Sequence, residues 1–236
     1  MRVDAQPAYI LHTRNFRDSS LIVDFLTADF GRISGVVKGV RSSSKTAKQK
    51  RAATQPFIPL IISWTGKTDL KTITALECRG ASMPLHAERL YSGFYINELL
   101  SRLLQSYDVH SEIYTLYEWA LKSLQRDEAI DLILRRFEFR LLEEMGYGLD
   151  LTVDAESGQQ LDPVDHYQLL VGQGLVRVPA GEAQQVPGTV YLGKDLLGIA
   201  CGQFDEHNRR IAKQLCRQLL KVYLGDKPLK SRELFR

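Results

Sequence analysis

A basic run between positions 38 and 51 has the clearest potential for chemistry in this sequence. Its 14 positions contain no Asp or Glu and six cations: Lys38, Arg41, Lys45, Lys48, Lys50 and Arg51. A cluster of cations releases counterions when it meets phosphates, so this run is typical of a polyanion-binding surface. The run contains Ser42 to Ser44 and follows a Gly-rich strand, so we predict a mobile loop on the rim of a barrel that becomes ordered on binding. The plain alternative is a solvated loop that only improves solubility.

Aromatic residues accompany these charges in the first 80 residues. Small barrels that bind single strands combine a basic groove with aromatic rings on which bases stack. Most of these rings must fill the core of so small a barrel. We expect one or two to be exposed, with Phe16 and Trp64 ahead of Tyr9.

Further arginines occur where the pattern becomes helical, at Arg102, Arg135 and Arg136. An arginine beside an exposed apolar pocket can receive an acidic peptide with a hydrophobic end. On the residues alone, a surface arginine paired with Glu138 or Asp131 is the favoured interpretation.

A second basic cluster at 221–232 includes Lys230 and Arg232. It either joins the loop in one DNA-binding face or caps the helical part. Charge alone leaves both possibilities open.

No catalytic constellation is present. The five histidines lack metal-binding spacing, and three scattered cysteines suit neither a disulfide framework nor a zinc site. Gly66-Lys67-Thr68 resembles the end of a phosphate-binding loop, but Ile61 stands where the upstream glycine is needed, so a hairpin turn is predicted. We therefore expect a binding protein, without enzyme activity, cofactor or metal, in a reducing cytoplasmic compartment.

Five short runs rich in β-branched and aromatic residues predict strands in the first 80 residues: 8–13, 21–27, 32–40, 57–64 and 70–76. They suit a small closed barrel of OB or SH3-like type. Gly35 and Gly39 suggest a bulge or a tight corner in the third strand.

The apolar period changes to that of a helix from Pro84 onward. Three amphipathic helices are predicted, with Ser111 as the N-cap of the second and Gly146 at the end of the third. A Gly- and Pro-rich insertion, partly β, follows over about 147–204. A last helix runs over about 205–224 to Gly225. The fold class is α+β, with a barrel at 1–80 and a mostly helical domain at 81–236.

Charge is unevenly distributed along the 236 residues. The net charge is +7 over residues 1–80, −11 over 81–208 and +7 over 209–236. Hydrophobic residues make up 44% and charged residues 25%, which is ordinary for a globular protein. No apolar run is long enough to span a membrane, and the first residues lack the apolar region of a secretory signal.

Several stretches, in this order and spacing, resemble the RecO family of bacterial recombination mediators. They are Phe25–Thr27 with Gly31 and Arg32, Val37–Arg41, Gln55–Phe57, Leu90–Gly93, Tyr95–Leu100, Leu134–Glu138, Gly146–Gly148, Tyr223–Gly225 and Pro228–Arg232. The resemblance covers nearly the whole chain and implies an N-terminal OB barrel followed by a helical domain.

The resemblance also implies a function in DNA repair. Members of the family bind single- and double-stranded DNA, anneal complementary strands and, with RecR, help load RecA. They engage the acidic, Phe-ended tail of the single-stranded DNA-binding protein. Carried over to this chain, the DNA role falls on Arg32, Lys38 and the run to Arg51, and the tail role on the helix with Arg135 and Arg136. The expected location is cytoplasmic and nucleoid-associated.

One departure from the family concerns zinc. Many members hold a zinc ion with four cysteines after the Gly-Tyr-Gly stretch, whereas residues 149–195 here contain no cysteine. We therefore predict no zinc. Two alternative functions remain open: a non-annealing adaptor that docks protein tails, and an OB-fold RNA-binding factor.

Overall fold

The computed structural model describes residues 2–80, 84–182 and 186–235. They form two compact units. The first unit comprises Met1–Ile130 together with Pro228–Arg236, and the second comprises Asp131–Lys227. The chain therefore leaves the first unit after residue 130 and returns to it at residue 228.

A closed five-stranded barrel forms the start of the first unit. Its strands follow the order β1-β2-β3-β5-β4, and a parallel pairing of β3 with β5 closes it. The strands are β1 (Arg2–Phe16), β2 (Ser20–Thr27), β3 (Gly31–Val37), β4 (Leu60–Thr65) and β5 (Leu70–Cys78). The predicted OB-like barrel and the α+β class are confirmed, and so is the hairpin turn at Gly66-Lys67-Thr68.

The first strand is much longer than the predicted run 8–13. Its second half pairs with β2 and its first half pairs with β4, so one strand serves two neighbours. The register shifts between Val3 and Gln6, where Ala5 adopts φ 54° and donates its N–H to Ser63 Oγ at 3.0 Å. This irregularity bends the strand as it passes from one partner to the other.

The barrel interior consists of alternating apolar side chains, since alternate residues of a strand face the same side. Phe25, Ile33 and Ile62 have no or almost no exposed surface. Of the two possibilities for the glycines of the third strand, a bulge or a tight corner, the bulge is wrong at Gly35, because β2 and β3 stay in register through it. Gly35 instead leaves room for the Ile73 side chain on β5, which a Cβ would meet.

Three α-helices of the described chain accompany the barrel in the first unit: α1 (Lys45–Ala53), α2 (Ala87–Leu103) and α3 (Ser111–Leu124). Asn97 joins α2 to the barrel by donating to the carbonyl oxygens of Ile10 and Leu11, and it accepts a bond from Tyr117 Oη at 2.7 Å. The predicted N-cap Ser111 is wrong by one residue. His110 occupies that position without a side-chain cap bond, and Ser111 is already helical.

The second unit contains α4 (Ile130–Glu144) from its second residue onward, α5 (Gly193–Ala200) and α6 (Glu206–Leu224). The insertion contains the strands β6 (His166–Leu170), β7 (Gly174–Val178) and β8 (Val190–Leu192), which form a three-stranded sheet in the order β7-β6-β8. Gly146 (φ 81°) and Gly225 (φ 66°) follow the ends of α4 and α6, as the sequence predicted. No helix within the described ranges combines the length and apolar character needed to cross a membrane.

Candidate nucleic-acid interface

The basic run folds as a helix over part of its length, so the predicted loop at 38–51 is wrong for this part. Helix α1 spans Lys45–Ala53 between β3 and β4. Ser44 caps it, since its Oγ accepts the N–H of Ala47 at 3.1 Å. Ala47 and Ala53 are buried, and Ala53 belongs to the barrel core. Three alanines, a capping serine and no glycine or proline inside the segment make helix the favoured state.

The charges of α1 divide between two faces of the helix. Lys45, Lys48 and Arg51 follow one another at intervals of three residues, which places them on one face, and all three are exposed. We call these three residues the α1 face. Lys50 points toward the barrel instead, and its Nζ donates to the carbonyl oxygen of Lys38 at 2.9 Å.

The predicted DNA-binding cations of this run are not neutralised by nearby carboxylates. In the part of the chain that the structure describes, none of the six forms a salt bridge. By contrast, eight other arginines within the described ranges pair with Asp or Glu. A row of exposed cations without counter-charges is suited to bind an external polyanion.

The tip of the β1–β2 hairpin lies against the start of the basic run. Arg41 donates its N–H to the Ser19 carbonyl at 3.0 Å and its Nη1 to the Arg17 carbonyl at 3.4 Å. The Arg17 guanidinium lies over the half-buried Phe16 ring, 5.1 Å from the centroid. The structure therefore adds Arg17 to this surface. Sequence reasoning missed it, although a hairpin that ends in Arg-Asn-Phe-Arg was a visible signal.

Arg32 is partly engaged within the first unit. Its Nε donates to the Leu104 carbonyl at 3.0 Å and its Nη2 to Ser106 Oγ at 3.3 Å. The neighbouring Gly31 has φ 62°, and a Cβ there would collide with the carbonyl of Asp108. Both residues hold the segment after α2 against β3.

The expected exposure of Trp64 is wrong. Only 1% of its surface is accessible, and its ring packs edge-on against Phe30 at a centroid distance of 5.2 Å. The barrel core needs its volume, so it is not a stacking platform. Phe16 remains the aromatic residue that lies beside the basic run.

The C-terminal segment places Lys230 and Arg232 on the surface of the first unit. The segment forms a 3-10 helix, Lys230–Phe235, packed on α2. Leu229 and Ser231 are buried, and the two cations between and after them are exposed. Arg102 on α2 donates its Nη1 to the Pro228 carbonyl at 3.3 Å, so its side chain is used within this unit.

The two arginines predicted to receive a partner peptide lie in different environments on α4. Arg135 is buried and its Nη2 bonds Glu138 Oε1 at 2.7 Å, with 6% and 1% of the two side chains exposed. The pair lies near Cys216 on α6, where burial first and then the Glu138 carboxylate raise the pKa of the thiol. Arg136 is exposed. The pairing with Glu138 that the residues alone favoured is therefore present, but inside the unit.

A cleft of about 520 Å³ lies elsewhere in the second unit, between β6 and the end of α6. Leu169, Val171 and Val222 supply its apolar lining, and Lys221 its positive charge. Among the described residues, no group of three or more His, Cys, Asp or Glu side chains is placed to hold a metal ion.

The chain combines an OB-like barrel, an exposed basic helix and a helical unit. This combination is typical of barrel proteins that bind nucleic acids. Comparison with known proteins gives the family. The model "Recombination protein O N terminal" matches residues 1–81, and "Recombination protein O C terminal" matches residues 85–233.

Curated relatives match this chain over nearly its whole length. The DNA repair protein RecO of Cellvibrio japonicus is 46% identical over 236 residues, covering 100% of this chain and 98% of the relative. That of Glaesserella parasuis is 40% identical over 232 residues, covering 98% and 94%. The protein of Haemophilus influenzae strain 86-028NP is 38% identical over 236 residues, covering 100% and 97%. The chain belongs to the RecO family, and its role lies in DNA repair and recombination.

Proposed function

We propose that this chain binds single- and double-stranded DNA, anneals complementary strands and, with RecR, helps load RecA on DNA coated by single-stranded DNA-binding protein. The observation that carries the proposal is the α1 face, three exposed cations without a salt bridge in the described chain. The family assigns a repair role, and this surface supplies a physical means of holding the phosphate backbone.

The proposed mechanism is charge neutralisation on the barrel. Lys45, Lys48 and Arg51 contact phosphates and release their counterions. Lys38, Arg41 and the half-buried Lys50 extend this surface, and Phe16 at the hairpin tip stacks on an exposed base.

Arg32 contributes mainly by fixing β3 against the segment after α2. Because no base edge is read, binding is nearly independent of sequence.

Annealing requires a second backbone to be screened, and residues 209–232 supply the charge for it. On α6, Lys213, Arg217 and Lys221 follow at intervals of four residues and are all exposed. Partial burial first, and then the charges of Arg217 and Arg135, lower the pKa of Lys213. A bound phosphate relieves this repulsion between cations. Lys230 and Arg232 add two further charges.

The tail of the single-stranded DNA-binding protein is proposed to dock on the helical part of the chain. Arg136 is the exposed arginine of α4 and meets the acidic residues of the tail, whereas Arg135 shapes the helix from inside through its bond with Glu138. Arg102 takes a lesser part, since it already contacts Pro228. The apolar cleft of the second unit, which Lys221 lines, is the alternative docking site for a peptide with a hydrophobic end.

The test is annealing of two complementary strands, bare or coated with their binding protein. The variant Lys45→Glu/Lys48→Glu/Arg51→Glu is expected to fail on both substrates, because three charge reversals repel the backbone. Arg136→Ala is expected to fail on coated strands alone. If Lys221→Ala has that effect and Arg136→Ala does not, the tail site is the cleft.

A matched control reverses three exposed cations elsewhere that also form no salt bridge among the described residues: Lys67, Arg79 and Lys194, each to Glu. This control changes the net charge by the same amount and should still anneal. If it fails equally, net charge and not the α1 face drives the reaction. A wild type that anneals neither substrate contradicts the proposal and favours the adaptor. Preferential competition by RNA over single-stranded DNA favours the RNA-binding alternative.

A further inference from the structure

Two distant stretches of the sequence meet at one carboxylate in the first unit. Glu98 lies in the Tyr95–Leu100 stretch of α2, and Ser231 lies in the Pro228–Arg232 stretch near the C-terminus. They are 133 positions apart, yet their side chains bond at 2.7 Å. The function described so far makes no use of this contact.

The carboxylate of Glu98 accepts three hydrogen bonds from the C-terminal segment. Its Oε1 accepts the backbone N–H of Lys230 at 2.9 Å. Its Oε2 accepts the backbone N–H of Ser231 at 2.8 Å and the hydroxyl of Ser231 at 2.7 Å. Hydrogen bonds to an ionised acceptor are the strong kind, and here they fix the backbone of two consecutive residues.

The ionised form of Glu98 is the one that this arrangement favours. Burial by itself raises the pKa of Glu98, but the bonds from Ser231 and Lys230 and the charge of Arg102 together hold the pKa below its ordinary value. Arg102, one helical turn further along α2, donates to the Pro228 carbonyl. Leu229, 3% exposed, inserts between these two polar contacts.

This docking determines where the two cations of the segment point. Leu229 and Ser231 face inward, so Lys230 and Arg232 face outward from the first unit, the unit that also carries the α1 face. An undocked segment would leave both cations without a fixed position, so ordering them on DNA would cost conformational entropy.

We propose that Glu98 is a positioning residue for nucleic-acid binding, a clasp that docks the C-terminal segment on α2 and so presents Lys230 and Arg232 to the phosphate backbone. The proposal rests on the proposed DNA binding.

The test compares Glu98→Gln with Glu88→Gln. Both variants remove one negative charge from α2, but Glu88 is exposed in the first turn, outside the clasp. Glutamine at 98 places an NH₂ group against N–H donors and so breaks the clasp. Two quantities are measured on the full chain: hydrogen exchange of the amides of residues 229–234, and the dependence of the DNA binding constant on salt.

Glu98→Gln is expected to weaken DNA binding, although it removes a negative charge. Removal of a carboxylate should strengthen DNA binding, and Glu88→Gln is expected to leave binding equal or slightly tighter. Glu98→Gln is expected to expose amides 229–234 to exchange and to lower the salt slope on duplex DNA by about 2, one for each lost phosphate contact. Lys230→Ala/Arg232→Ala should lower the slope equally, and the combined variant should lower it no further.

Three outcomes would overturn the clasp. The amides of the segment could stay protected in Glu98→Gln. They could exchange freely while the salt slope is unchanged, in which case docking has no part in binding. The effects of Glu98→Gln and Lys230→Ala/Arg232→Ala could also add, which would mean that they act separately.

Failure of the proposed function has a different appearance. If the wild type shows no DNA binding but Glu98→Gln still releases the segment, DNA binding is overturned, and with it the presentation of the two cations, while the docking role of Glu98 stands.

Discussion

The α1 face and the Arg135–Glu138 pair use the same chemistry in opposite ways. Lys45, Lys48 and Arg51 are exposed and form no salt bridge within the described chain. Arg135 is 6% exposed at its side chain and bonds Glu138 at 2.7 Å. Exposed cations contribute little to folding and are available to a ligand, whereas a buried cation requires its partner. Burial, and not residue type, decides whether a cation is available to a ligand or is committed to a partner inside the fold.

This contrast predicts its largest effect at the buried pair. Glu138→Ala leaves the Arg135 charge buried without its partner, so the second unit should lose about 3–5 kcal/mol of its free energy of unfolding. Urea denaturation, followed by hydrogen exchange in α4 and α6, measures this loss. Arg135→Met/Glu138→Leu serves as the control and should recover most of it, because two apolar side chains replace the pair. Equal losses in both variants would contradict the assignment.

The next effect is on DNA affinity. Reversal of the three α1-face charges should weaken binding to duplex DNA by about 100-fold at low salt and lower the salt slope by about 3. The melting temperature should change little, because none of the three forms an internal salt bridge. Fluorescence anisotropy over a salt series measures the slope. A large fall in melting temperature would show that these residues stabilise the fold instead.

A smaller effect is expected at the cap of α1. Ser44→Ala removes the bond to the Ala47 N–H and should destabilise the helix by about 1 kcal/mol. Amide exchange in α1 should accelerate, with a modest loss of DNA affinity, since the cations are then held less firmly. Ser44→Asp keeps the cap and should preserve slow exchange. Unchanged exchange in Ser44→Ala would mean that packing of Ala47 and Ala53 alone holds the helix.

The smallest effect sharpens the comparison within α1 itself. Lys50 is half-buried and donates to the Lys38 carbonyl, so it lies between the two extremes. Lys48→Met should lower the salt slope by about 1, whereas Lys50→Met should lower it by clearly less. Anisotropy under identical salt conditions compares the two. Equal slopes would show that Lys50 leaves its internal bond to reach the backbone.

Much of the fold could be predicted from local pattern. The five strands and the four main helices follow from the spacing of apolar residues, and Gly146 and Gly225 mark helix ends through their conformational freedom. Part of the basic run is a helix and not the predicted loop, because Ser44 caps the segment and Ala47 and Ala53 are buried. The DNA-binding role of its residues stays a prediction.

The sequence by itself determined the charge distribution, the family and the absence of cysteine in residues 149–195, since these are properties of composition and motif. Only the tertiary structure decided which charges are free. Trp64 is buried because the core of a small barrel needs its volume, and Arg135 is buried because it pairs with Glu138 inside the second unit. Glu98 meets Ser231 because the chain returns to its first unit after almost a hundred residues, and local pattern contains no information about such long-range contacts.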